Sequence, residues 1–143
     1  MKKIVIVDGM GGGIGAQLAS RLKEALGEGV ELIALGTNSS ATDRMLKAGA
    51  HRGASGENAI KVSVGQGDII VGPIGIVIPN GMMGEITTAM AEAVLAAPGT
   101  RILVPVAQGH FVLAGVESAS VGKQVSATVE AVQNCLNQSP STL

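Results

Sequence analysis

At 143 residues the chain is the size of one domain, long enough to bury roughly 70% of the surface that its unfolded form exposes. It is 46% hydrophobic and only 15% charged, an apolar excess that points to a subunit interface and so to a homo-oligomer. Ten Lys and Arg against eleven Asp and Glu, with Phe111 as the single aromatic residue, argue against a nucleic acid partner, which needs basic surplus, and against base stacking on rings.

Met1-Lys2-Lys3 leads straight into a β-branched run rather than a secretion signal, which points to a cytoplasmic protein. That run, Ile4-Val5-Ile6-Val7, reads as a strand buried on both faces, the first and central one of a parallel sheet. From Ile14 the apolar residues recur at Ile14, Leu18, Leu22, Ala25 and Leu26, the spacing of an amphipathic helix that Gly27 and Gly29 end. Val30 to Leu35 predicts a second strand, followed by the polar turn Gly36-Thr37-Asn38-Ser39-Ser40 and a helix from about Ala41 to Ala48. Gly49 to Gly56 fits a loop or a short edge strand, and Glu57 to Gln66 fits one or two turns of helix. His51 and Arg52 are read as solvated.

Asp68 to Gly72 is the next strand. The longest apolar run, Ile69 to Pro79, is broken by glycine and proline and is too short to span a membrane. Gly84 to Ala97 predicts a helix with Ile86, Met90, Ala93, Val94 and Ala97 on one face, stopped by Pro98-Gly99. Arg101 to Val106 is a strand, and the short connection Ala107-Gln108-Gly109-His110 predicts that Phe111 to Gly115 returns antiparallel to it. The last helix, about Ser120 to Leu136, carries Val121, Val125, Val129, Val132 and Leu136 on one stripe ahead of a polar tail, residues 137–143. Cys135 is read as packing, and one cysteine with two histidines leaves no internal disulfide and no sequence-local zinc site, so no metal is expected. The expected fold is a single domain over residues 1–136, α/β, a Rossmann-like three-layer sandwich whose sheet is mostly parallel with an antiparallel last strand.

The chemistry sits in the turn after the first strand. Phosphate binding at a helix start needs outward backbone N–H groups and no side chains in the way, which Gly9-Met10-Gly11-Gly12-Gly13-Ile14-Gly15 supplies. Asp8, just before it, is expected to cap or hydrogen-bond the turn. G-x-G-x-x-G fails in register, but G-x-x-x-G-x-G is met by Gly9, Gly13 and Gly15. That spacing resembles the cofactor turn of the short-chain dehydrogenase/reductase family, and the resemblance implies NADP or NAD as cofactor. It covers about 25 residues, and the Tyr-x-x-x-Lys pair of those enzymes has no counterpart in a chain without tyrosine. A methyltransferase reading ranks lower, because Asp8 sits one residue too close to Gly9 and no acid follows the second strand.

The end of the second strand reads the adenosine ribose in dinucleotide folds. Here Gly36, Thr37, Asn38 and Ser39, with Arg44 one turn on, suit a 2′-phosphate better than a bare diol, or equally provide the helix cap. Gly72, Pro73, Ile74 and Gly75 are expected at the same sheet edge, flanking the middle of a dinucleotide. His110 is a weak candidate for proton transfer and Gln108 for holding a carbonyl.

Asp8-Gly9-Met10-Gly11-Gly12-Gly13-Ile14-Gly15, Gly36-Thr37-Asn38, Met45-Leu46-Lys47-Ala48-Gly49-Ala50, Gly56-Glu57-Asn58 and Gly72-Pro73-Ile74-Gly75-Ile76-Val77 together resemble a small bacterial family, domain-of-unknown-function family 3842. The part after Pro105 resembles it less clearly. The resemblance implies a self-contained single domain and assigns no reaction. Three functions stay open on the sequence: a non-catalytic or regulatory nucleotide-binding module, a small NAD(P)-dependent oxidoreductase with its active site at a subunit interface and His110 moving the proton, and a structural or partner-binding protein with a vestigial nucleotide site.

Overall fold

The computed structural model describes residues 1–106, 111–116 and 119–138. Strand β1 (Lys2–Asp8) alternates between two cores. Ile4 and Ile6 face one, and Val5 and Val7 face the other. This period-two alternation with both faces apolar is what a central parallel strand requires. Helix α1 (Gly13–Leu26) leads to β2 (Val30–Gly36), and α2 (Ser39–Ala48) leads to β3 (Arg52–Ser55). Helix α3 (Glu57–Ser63) then carries the chain across to β4 (Ile69–Pro73), α4 (Thr88–Ala96), β5 (Thr100–Val104) and α5 (Val121–Leu136).

The five strands lie in the order β3-β2-β1-β4-β5. These are the first five of the doubly wound order 3-2-1-4-5-6. Every strand pair is parallel, from Lys2 opposite Val30 to Pro73 opposite Val104. Leu18, Ala19 and Leu22 of α1, Met45 of α2 and Val125, Val129 and Val132 of α5 pack on one face. Ile60 of α3 and Met90, Ala91 and Val94 of α4 pack on the other. On the first of these faces α5 packs beside α1 and over β5.

The antiparallel last strand is a correction. Phe111 makes only an isolated bridge, residues 114–115 form a turn, and Gly115 has φ +83. Val112 is 92% exposed, so the segment has no buried face to hold it against β5. The helix expected from Gly84 starts at Thr88 instead, because Gly84 has φ +90 and the Thr87 hydroxyl caps the helix by accepting from Met90 N at 3.1 Å. Val121 begins α5 but is 40% exposed, so the apolar stripe starts at Val125.

Gly49–Gly56 resolves into the edge strand β3. His51 extends its ladder, accepting from Leu32 N through Nδ1 at 2.9 Å and donating to Leu32 O at 2.8 Å. Arg52 pairs with Glu31 at 2.9 Å. Both side chains are therefore tied to the sheet as well as exposed. Among the described residues no helix is long and apolar enough to cross a membrane, and no cluster of His, Cys, Asp and Glu could hold a metal ion. Part of the tail, residues 139–143, lies outside the described residues.

Candidate functional site

The turn after β1 closes through Gly12 N donating to Gly9 O at 2.9 Å, with Met10 in the left-handed region at φ 54 and Gly12 at φ 73. Asp8 organises it from beneath. One carboxylate oxygen accepts from Gly9 N at 2.8 Å and the other from Gly15 N at 2.7 Å, while the residue is 4% exposed. Burial pushes the Asp8 carboxyl above its ordinary value, against the pull of the two amides. Gly15 is needed for close packing, since a Cβ there would lie 2.5 Å from Met45 Sδ and 2.9 Å from Asp8 Cβ. This is the role of a glycine where helix meets strand in nucleotide-binding turns.

With Gly9, Met10, Gly12 and Gly15 N–H engaged and Ala16 N bonded to Gly12 O, the amides of Gly11, Gly13 and Ile14 have no protein acceptor among the described residues. They stand at the positive end of the 14-residue helix α1. Arg44, on α2, reaches over the same turn and donates to Gly11 O at 3.3 Å. Its guanidinium stands 3.6 Å from where a Cβ of Gly13 would be. Sequence spacing tied Arg44 to the end of β2, but the packing of α2 on α1 brings it to the glycine turn.

Gly36 ends β2 and its amide donates to the Thr42 hydroxyl at 3.1 Å, in a space too tight for a Cβ. Thr37 N donates to Asp8 O at 3.0 Å, which brings the ends of β1 and β2 together. Asn38 caps α2, accepting from Ala41 N at 2.9 Å, and its amide nitrogen donates to Met10 O at 3.0 Å. Ser39 is exposed in the first turn of α2.

Sequence reasoning missed Glu85. The segment between β4 and α4 crosses the mouth of β1 and sets this carboxylate between the two rims. Glu85 Oε1 accepts from Met10 N at 2.8 Å, from Thr37 Oγ1 at 2.5 Å and from Asn38 Nδ2 at 3.0 Å. These donors, Thr37 first, hold its carboxyl below the ordinary value of 4.5. Glu85 follows Asn80, Met82, Met83 and Gly84, all at positive φ. The only signal for it was an acid in a glycine-bounded loop after a strand, and its reach across two strands is a tertiary property.

The depressed Glu85 value sets a sign. The folded state favours the ionised form, so its stabilisation is complete above pH 4.5 and is lost as pH falls through the lower folded value. Wild type is expected to melt higher than Glu85→Gln at pH 7, and the two curves to converge well below pH 4.5 in a melting series.

Gly72 and Pro73 lie inside β4, with Gly72 against the Val7 carbonyl. Ile74 and Gly75 open a 3₁₀ turn that the chain's own loop covers, Ile78 N donating to Gly75 O at 3.1 Å. The segment runs from β4 into the turn at the end of the sheet, with Gly72 held against the β1 backbone. Gln108 and His110 lie outside the described residues, and with them the oxidoreductase reading's proton donor.

A family model described as Domain of unknown function (DUF3842) matches residues 3–137, so the likeness continues past Pro105. No curated protein matches. Among solved structures the chain is similar to a dodecameric FMN-dependent Ubix-like decarboxylase from Escherichia coli O157:H7, with 15% identity over 96% of each chain and a TM-score of 0.45.

Proposed function

The chain belongs to the family of domains of unknown function numbered 3842, and from that premise we propose that it binds the phosphate group of a nucleotide, NAD(H) or a relative, at the Gly9–Gly15 turn. The observation that carries this reading is the convergence of the open Gly11, Gly13 and Ile14 amides with the Arg44 guanidinium. Oriented N–H groups at a helix start with a planar cation beside them are the chemistry that holds a phosphate. Asp8 would keep the turn in shape, and the absence of side chains at Gly11 and Gly13 would let the phosphate oxygens reach the backbone. We propose a binding role, regulatory or structural, because the two carboxylates at the turn, Asp8 and Glu85, are each engaged by donors that hold the rim together.

Titration of the purified protein with pyrophosphate, ADP, NAD, NADP, FMN, S-adenosylmethionine and coenzyme A tests the reading, with thermal stabilisation as the readout. At least one nucleotide is expected to bind below millimolar concentration. Arg44→Ala is expected to weaken it about ten-fold, the order of one lost charge-assisted hydrogen bond. Failure of every phosphate-bearing ligand to stabilise the fold would overturn it.

Self-association is supported by a second observation. Val116, 46% exposed, joins Ile102, Leu103 and Pro105 around an open hollow of about 310 Å³ between β5 and α5. Native mass spectrometry is expected to give a homo-oligomer.

A further inference from the structure

We propose that Glu85 is the carboxylate that reads the ribose of the bound nucleotide, selecting a free 2′,3′-diol and rejecting a 2′-phosphate. The inference rests on the phosphate reading above and adds a specificity to it. In doubly wound sheets an acid at the end of the second strand accepts the ribose hydroxyls. The end of β2 here, Gly36-Thr37-Asn38, offers none. The fold supplies one from the other side of the crevice, with Glu85 Oε1 2.5 Å from Thr37 Oγ1 and 2.8 Å from Met10 N.

The two carboxylate oxygens of Glu85 are unequal. Oε1 accepts all three of the hydrogen bonds from Met10, Thr37 and Asn38. Oε2 takes none from the described residues, and it is not sealed from solvent, since no buried side-chain oxygen lacks a partner. One oxygen is thus spent on fixing the group and the other is left to accept from hydroxyls. Three donors keep the group ionised at neutral pH, so it presents lone pairs only. Holding it there places Met82 at φ 56 and Met83 at φ 57, a conformation that side chains rarely adopt. Strain of this sort persists where the surroundings over-determine a site, and it clusters at ligand clamps.

A carboxylate so placed repels a phosphate on the 2′ position. The Thr37 hydroxyl and Asn38 amide, which the sequence offered as partners of a 2′-phosphate, instead donate to Glu85.

The test compares paired ligands on the full chain. Wild type is expected to bind NAD about ten-fold tighter than NADP, and ADP about ten-fold tighter than 2′-deoxy-ADP, the order of one hydrogen bond to a charged group. Glu85→Gln is expected to lower the NAD to NADP ratio to about three-fold or less, with pyrophosphate measured alongside as the gauge of any change at the turn itself. Equal binding of NAD and NADP by wild type overturns the inference and needs no variant to fold. So does a Glu85→Gln protein that binds pyrophosphate and NAD more tightly by the same factor, because the carboxylate would then be an internal plug displaced by phosphate. If pyrophosphate and all nucleotides fail on wild type, the phosphate reading falls and this one with it. Pyrophosphate binding without diol preference leaves the first standing and removes the second.

Discussion

Replacing Asp8 with alanine is expected to destabilise the protein by about 2–6 kcal/mol, because it strands two buried amide donors at roughly 1–3 kcal/mol each. Gly9 N and Gly15 N both end on this carboxylate, at 2.8 and 2.7 Å. No other acceptor is placed for them, and water has little room around a side chain that is 4% exposed. Asp8→Asn separates shape from charge. Its carbonyl can keep one amide, but its nitrogen must face the other, so an intermediate loss is expected in chemical denaturation. The pH series has a definite sign. Burial raises the folded-state value of Asp8 above 3.8, so the folded protein takes up the proton first. The charge therefore burdens the fold above that raised value, and wild type should gain on Asp8→Asn as pH falls through it towards 3.8. A stability difference that grew with rising pH would contradict the assignment.

Gly72→Ala is expected to cost about 3 kcal/mol or more, at the upper end of what overpacking a core costs. A Cβ on Gly72 would overlap the Val7 carbonyl oxygen and stand 3.0 Å from Ile76 Cδ1. Ile76 could shift its methyl, but the carbonyl belongs to central strand β1, flanked by β2 and β4. Moving it would disturb the turn at Gly9 as well. Gly29→Ala is the control: nothing lies within 4 Å of its Cβ and its φ is not positive, so the change is expected to stay within about 0.5 kcal/mol. Urea denaturation of the two variants should separate them clearly. Near-equal midpoints would mean that β1 and β4 part more easily than the packing implies.

What could be read in the chain beforehand was what local chemistry decides. The β-branched run of β1 and the apolar spacing of α1 are local patterns in themselves, and the glycine turn and the Asn38 cap draw their partners from within a few residues. Asp8 as the organiser of the turn was legible for the same reason, with Gly15 only seven residues away. The start of α4 was misplaced because helical spacing of Ile86 and Met90 says nothing about the φ of Gly84. The antiparallel strand was inferred from loop length alone, and loop length cannot tell whether a strand face will find a cover. Glu85 was invisible because its partners Met10, Thr37 and Asn38 stand 75, 48 and 47 residues away. Only the sheet order brings them to one place.

The central position of β1 also governs the order in which the fold can be assembled as the chain leaves the ribosome. Strand β1 finds one neighbour early, in β2, but its other edge stays open until residues 69–73 have been made, and the bond from Lys3 N to Asp68 spans 65 residues. Until then an apolar strand edge of Ile and Val is bare, the feature that invites mispairing between nascent chains. Glu85 is synthesised after β4 and before β5, the strand that completes the sheet. The rim at Glu85 is therefore closed only once β1 has lost its exposed edge, which then passes to β4 until residues 100–104 have been made.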